Sequence, residues 1–263
     1  MSFLLWLRES RNLQTNTILN YKAALAVPLR IVCNLDLDSW EFKELKKSFF
    51  LERPPNLPSV PSWDISKVLT LLQSSAYSSF PPDKFNQLKK CLFLTALAAG
   101  NRVSEIAAMV RTGLELVHTF NKISIAVRPG FLYKNQRLGR APNNIVIVPL
   151  DQGPPALCPV RSLASYLSLS SPKRGALFCN TKTEKPLTRA SISKLLCSII
   201  EEADPNKFPK SHDIRKVAAS IAWTRGLNPE EITKRVFWRS SSVFIDRYLS
   251  SKKCHVGVAL NTC

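Results

Sequence analysis

The run Ser211-His212-Asp213-Ile214-Arg215 contains a histidine and an arginine separated by three positions. If this segment is helical, the two side chains lie on one face. The arginine can donate paired hydrogen bonds to phosphate oxygens, and the histidine can exchange a proton near neutral pH. The pair therefore suits a phosphate group.

The sequence around this pair predicts a helix over residues 211–225. Ile214 and Val217 belong to its apolar side, and His212 and Arg215 are expected to point away from that side. Both would occupy the first turn, where free backbone N–H groups attract phosphate. A solvated polar face without a function is the alternative interpretation.

A second arginine, Arg102, precedes another predicted helix, residues 102–112. Arg102 borders the expected buried stripe near the helix N-terminus, where the helix dipole favours an anion. Glu105 follows one turn later and could hold Arg102 by a charge-assisted hydrogen bond. An ordinary surface Arg–Glu pair is the alternative. The expected stripe consists of Val103, Ile106, Ala107 and Val110.

Three further side chains could complete a reactive site. Lys134 lies in the connection between two predicted strands, residues 123–128 and 144–150, while Trp238 and Tyr248 lie near the C-terminus. Each also has an ordinary explanation: a solvated loop lysine, a buried tryptophan at a helix end and a core tyrosine. A tyrosine downstream of two arginines and a histidine nevertheless indicates attack on a phosphodiester by a tyrosine oxygen.

The elements that must position these residues form two predicted domains. Residues 1–52 are expected to be a small helical domain, and residues 53–62 a linker because four prolines in this stretch prevent a helix. Residues 63–250 form the larger domain, and residues 251–263 a tail without periodicity. A small sheet among many helices makes the predicted class α+β and mostly helical. The larger domain's other predicted helices are 65–72, 83–99, 159–169, 188–203, 228–237 and 240–249.

Charge and composition narrow the class of partner. The chain has 37 Lys and Arg against 19 Asp and Glu, a net charge of +18. The excess is spread along the sequence, which is typical of a surface that wraps a polyanion, although a merely basic soluble protein is the alternative. Seven scattered cysteines without a CxxC pair predict reduced thiols and no zinc site. No apolar run approaches the ~20 residues of a membrane span.

Familiar cofactor and metal motifs are missing from the sequence. There is no P-loop, dinucleotide fingerprint, HExxH or GxSxG, and the carboxylates do not cluster as nuclease metal ligands do. We therefore expect neither a cofactor nor a metal.

The ordered set of Arg in GxRxSE, Lys in a hairpin, His-x-x-Arg, Trp and Tyr resembles the active site of the tyrosine recombinases, the phage-integrase family. The matching residues are Arg102, Lys134, His212, Arg215, Trp238 and Tyr248. The interval from Trp238 to Tyr248 is one residue longer than in bacterial and phage relatives, and at their spacing Arg239 would occupy the tryptophan position. The segments around Lys134 and Tyr248 look like those of DIRS-type, Ngaro-type and Crypton mobile elements.

The resemblance implies a mechanism. Tyr248 would attack the scissile phosphorus, form a 3′-phosphotyrosyl bond and release a 5′-hydroxyl. Arg102 and Arg215 would hold the non-bridging oxygens. Lys134 would protonate the leaving oxygen, and His212 would assist proton transfer at the nucleophile. Trp238 would pack against the phosphate and donate its indole N–H.

The resemblance also implies partners and setting: double-stranded DNA, a tetramer on that DNA, integration or recombination of a mobile element, and a nuclear location. Residues 1–52 would be the core-binding domain that clamps DNA, although the segment is short, as though part of its start were missing. Two alternatives remain open. One is a DNA-binding protein that has lost catalysis, and the other is a type IB topoisomerase with the same chemistry.

Overall fold

The computed structural model describes residues 2–54, 61–79, 83–119, 122–130, 144–150, 153–170 and 175–235. The chain divides into two compact units, Met1–Pro58 and Ser59–Cys263. This division falls within the proline-rich stretch at residues 53–62.

The first unit consists of the helices α1 (Ser2–Glu9), α2 (Thr15–Cys33) and α3 (Trp40–Glu52). Two polar contacts tie α3 to the other two helices. The Thr15 hydroxyl donates to the Phe49 carbonyl at 3.1 Å, and Arg8 pairs with Glu52 at 3.1 Å. The apolar core between the helices consists of Leu4, Leu7, Ile18, Leu37, Phe42 and Phe49.

The second unit is mostly helical, and a long helix lies at its centre. This helix, α6, is buried around most of its circumference, as expected for a helix surrounded by other elements. Asp83 caps its start by accepting from the Asn86 N–H at 2.7 Å, and Gly100 ends it with a positive φ of 60°. The helices of this unit are α4 (Ile65–Gln73), α5 (Ser75–Ser78), α6 (Lys84–Ala99), α7 (Val103–Ala107), α8 (Pro159–Leu169), α9 (Arg189–Ala203), α10 (Ser211–Thr224) and α11 (Pro229–Arg235).

A three-stranded antiparallel sheet packs against α6. Its strands are β1 (Met109–Thr119), β2 (Lys122–Pro129) and β3 (Ile145–Ile147), in the order β1-β2-β3. Both strands predicted from the sequence are present, the second shorter than expected. The core-facing residues of β2 and β3 are paired directly, Ile125 with Ile147 and Val127 with Ile145.

The predicted helix over residues 102–112 is wrong in its second half, because α7 ends at Ala107 and β1 begins at Met109. Backbone pairing with distant segments decides the outcome. The Leu177 N–H donates to the Met109 carbonyl at 2.8 Å, and the Gly130 N–H donates to the Ala108 carbonyl at 2.7 Å. These partners are remote in sequence, so the local apolar spacing could not reveal them.

Among the helices of the described ranges, none combines the length and the apolar character needed to cross a bilayer. Across the same ranges, no three His, Cys, Asp or Glu side chains gather as metal ligands would.

Candidate active site

The site forms where α6 ends, at the turn that precedes α7. Arg102 is the N-cap of α7, and Glu105 lies in the first turn of that helix. One Glu105 oxygen accepts the Arg102 backbone N–H at 2.7 Å, and the other accepts from Arg102 Nη1 at 2.8 Å. The predicted Arg102–Glu105 bond is therefore present. Arg102 keeps 27% of its side chain exposed, so its guanidinium remains accessible from solvent.

Arg215 meets the same carboxylate from α10. Its Nη1 lies 3.6 Å from Glu105 Oε2, and the two side chains are only 1% and 2% exposed. The expectation that Arg215 points away from the buried side of its helix is therefore wrong. Helix α10 packs against both α6 and α9, so protein covers more of its first turn than the apolar spacing predicts. The buried charge of Glu105 compensates for the burial of the guanidinium.

Glu105 thus connects two arginines that are far apart in sequence. The Asn101 side-chain amide donates to the same carboxylate at 3.0 Å. Two guanidiniums and one carboxylate leave one net positive charge in this cluster. A cluster of this kind, with one guanidinium open to solvent, can bind an anion such as phosphate.

His212 lies beside this cluster as the second residue of α10, and its side chain is exposed, as predicted. Although the residue is exposed, neighbouring protein atoms remove part of the ring from water, and this desolvation lowers its pKa. The positive charges of Arg215 and Lys216 lower it further. The charge of Arg102 acts in the same direction, so His212 lies within electrostatic range of both arginines. A pKa below the usual range leaves the imidazole neutral at pH 7, where it can accept a proton.

The first turn of α10 is held firmly. The Asp213 carboxylate accepts the Lys210 N–H at 3.2 Å, and the Asp213 N–H donates to the Lys210 carbonyl at 2.8 Å. Asp213 also pairs with Lys216 at 3.2 Å. The Ser193 hydroxyl of α9 donates to the Ser211 hydroxyl at 2.8 Å. These contacts fix the backbone that carries His212.

The structure thus brings Arg102, His212 and Arg215 together. Lys134, Trp238 and Tyr248 lie outside the described residues. Lys134 belongs to the connection between the antiparallel strands β2 and β3.

Sequence reasoning assigned Glu105 to Arg102 alone and missed its contact with Arg215. The sequence did contain a signal that Glu105 is buried, because Glu105 directly precedes Ile106 in a helix that is otherwise rich in apolar residues. A carboxylate buried in such a helix needs more than one partner to offset its desolvation.

The comparisons with known proteins agree with this architecture. The sequence profile of the phage integrase family matches residues 65–255. No curated protein matches the sequence.

Several solved structures share the fold. The XerH site-specific recombinase, bound to a palindromic difH substrate in a post-cleavage complex, has a TM-score of 0.65 at 15% identity over 99% of this chain and 71% of that chain. The Tn1549 transposon integrase in complex with circular intermediate DNA has a TM-score of 0.61 at 15% identity over 94% of this chain and 78% of that chain. The XerA recombinase has a TM-score of 0.51 at 17% identity over 97% of this chain and 88% of that chain.

Proposed function

Because the chain belongs to the phage integrase family of tyrosine recombinases, we propose that it cuts and rejoins DNA strands at specific sites through a tyrosine–DNA intermediate. The observation that carries this proposal is the convergence of Arg102 and Arg215 on the buried Glu105, next to a neutral His212. Arginines held in this way can bind both non-bridging oxygens of one phosphate.

In the proposed reaction, the Tyr248 oxygen bonds to the scissile phosphorus while the bond to the 5′ oxygen breaks. The leaving oxygen takes a proton from Lys134, and His212 assists removal of the phenol proton. Trp238 packs against the phosphate and donates its indole N–H. A 5′-hydroxyl from another strand then attacks the phosphotyrosine and restores the DNA backbone.

The two arginines contribute by stabilising charge on the phosphorane. Because Glu105 holds the partly exposed Arg102 before DNA arrives, little reorganisation of this guanidinium is needed when the negative charge develops. Arg102 is partly exposed and would meet the phosphate first, whereas Arg215 approaches from the buried side. The neutral His212 can act as a base at the same pH.

The proposal extends to partners and setting. Double-stranded DNA is the proposed partner, supported by the charge of +18 and by the DNA held in the XerH and Tn1549 integrase structures. We further propose a tetramer on DNA, a role in the movement of a mobile element, and a nuclear location. The tetramer follows from the resemblance to the tyrosine recombinases. The mobile element and the nuclear location follow from the resemblance of the sequence around Lys134 and Tyr248 to DIRS-type, Ngaro-type and Crypton elements.

A covalent-trapping experiment tests the chemistry. The full chain is incubated with a pool of randomised duplexes that carry a nick, so that cleavage near the nick releases a short strand and prevents religation. We expect a protein–DNA adduct that survives denaturation and disappears in Tyr248→Phe. An adduct that persists in this variant would rule out Tyr248 as the nucleophile. Retention of duplexes without any adduct would favour a DNA-binding protein that has lost catalysis, and relaxation of supercoiled DNA by the monomer would favour a topoisomerase.

A further inference from the structure

A large apolar side chain is exposed to solvent near the candidate active site in the sequence. Phe208 is 91% exposed, the highest value among the large hydrophobic side chains that the structure describes. It lies four positions before His212, in the segment that joins α9 to α10. Single exposed apolar residues are common, so exposure alone assigns no role to this side chain.

The segment that carries Phe208 is anchored on both sides of the ring. On the N-terminal side, the Asp204 carboxylate accepts from Lys67 Nζ of α4 at 2.6 Å. On the C-terminal side, the Cys197 thiol of α9 donates to the Pro209 carbonyl at 3.3 Å. The backbone therefore holds the ring outward, and an anchored segment loses little conformational entropy when a ligand binds.

The two lysines near Phe208 in the sequence indicate which class of ligand this segment can bind. Lys207 and Lys210 flank Phe208, and α10 begins directly after Lys210. An exposed apolar ring on a segment that also carries two lysines is poorly matched to a purely apolar protein surface. It is well matched to DNA, which offers apolar base edges between rows of phosphates.

We propose that Phe208 contacts a base edge of the duplex next to the phosphate bound by Arg102 and Arg215, while Lys207 and Lys210 contact the neighbouring phosphates. The 5-methyl group of thymine is the base feature that matches a phenyl ring. Phe208 is thus a specificity-determining residue, and this inference rests on the proposed function.

Affinity and salt dependence separate the two kinds of contact. Binding of the full chain to randomised duplexes is measured by fluorescence anisotropy at several salt concentrations, in the Tyr248→Phe background. We expect Phe208→Ala to weaken binding about tenfold without changing the salt slope, because the lost contact is apolar. Phe208→Leu, the matched control, should retain most of the affinity. Lys207→Gln and Lys210→Gln should each lower the slope by about one.

Selection of bound duplexes from the same pool tests the base contact. We expect the parent protein to enrich thymine at one position and Phe208→Ala to lose that enrichment. Equal affinity and equal enrichment in the two proteins would overturn the inference. A lowered unfolding temperature in Phe208→Ala with unchanged DNA affinity would also overturn it, because the ring would then pack against protein. Since Tyr248 is absent throughout, a failure of the trapping experiment leaves this result independent.

Discussion

Removal of the charge on Glu105 should destabilise the second unit strongly. In Glu105→Gln the shape of the side chain is retained, but an NH2 group replaces either Oε2, which accepts the Arg102 N–H and the Asn101 amide, or Oε1, which accepts from Arg102 Nη1. The charge that compensates for Arg215 is lost at the same time. Arg215 is only 1% exposed, so water cannot replace the carboxylate.

The size of the effect follows from this burial. Breaking a buried ion pair by removing one partner costs about 3–5 kcal/mol, because an uncompensated charge remains in the interior. Most of this loss should come from Arg215, since Arg102 is 27% exposed and solvent screens its charge. We therefore expect Glu105→Gln to lower the free energy of unfolding by about 3 kcal/mol or more.

The same substitution at an exposed pair provides the matched control. Glu115 pairs with Arg128 at 3.0 Å, with 52% and 58% of the two side chains exposed. Glu115→Gln should cost less than about 1 kcal/mol. Both variants are measured by urea unfolding of the full chain, followed by circular dichroism. If Glu105→Gln lost no more stability than Glu115→Gln, the assignment of Glu105 as the carboxylate that holds both arginines would be refuted.

Three further predictions concern packing and protonation. A Cβ added at Gly130 would lie 2.5 Å from Val110 Cγ1, whereas a Cβ added at Gly175 would meet nothing within 4 Å. Gly130→Ala should therefore lower the free energy of unfolding in urea by about 1–3 kcal/mol. An equal loss in Gly175→Ala would contradict the assignment of this cost to a clash with Val110. The pKa of His212 in the folded protein lies below its usual 6.5. At pH values just under 6.5, the unfolded chain therefore binds more protons than the folded protein, and the free energy of unfolding should rise as the pH rises. This rise should be smaller in His212→Gln. Lys216→Gln should raise the pKa of the His212 ring, measured by NMR, because it removes a positive charge that lowers it; an unchanged pKa would contradict the assigned cause.

The helices that local signals delimit were predicted well. The helix from residue 159 to 169 has the predicted bounds, with Pro159 as its first residue. Helix α6 ends where Gly100 permits a positive φ. The hairpin strands around residues 123–128 and 144–150 were found because β-branched residues and turn residues mark them locally.

The first strand and the burial of Arg215 were not predictable in the same way. The start of strand β1 depends on a bridge between Val110 and Ala176, a residue that is distant in sequence. The position of Arg215 depends on a carboxylate on another helix. The residues next to β1 and next to Arg215 in the sequence contain no signal that reveals these distant partners.

The sequence alone determined which chemical groups the chain can bring to a phosphate: two guanidiniums, an imidazole and a basic surface. Residue types and short spacings carry that information because helices and turns are governed by local interactions. Only the tertiary structure decided that Arg102 and Arg215 share Glu105, and that one guanidinium is accessible while the other is buried. That arrangement depends on the packing of α7 and α10 in one core. The packing removes Arg215 from water and places the charge of Glu105 beside it, and neither effect is visible in a local sequence pattern.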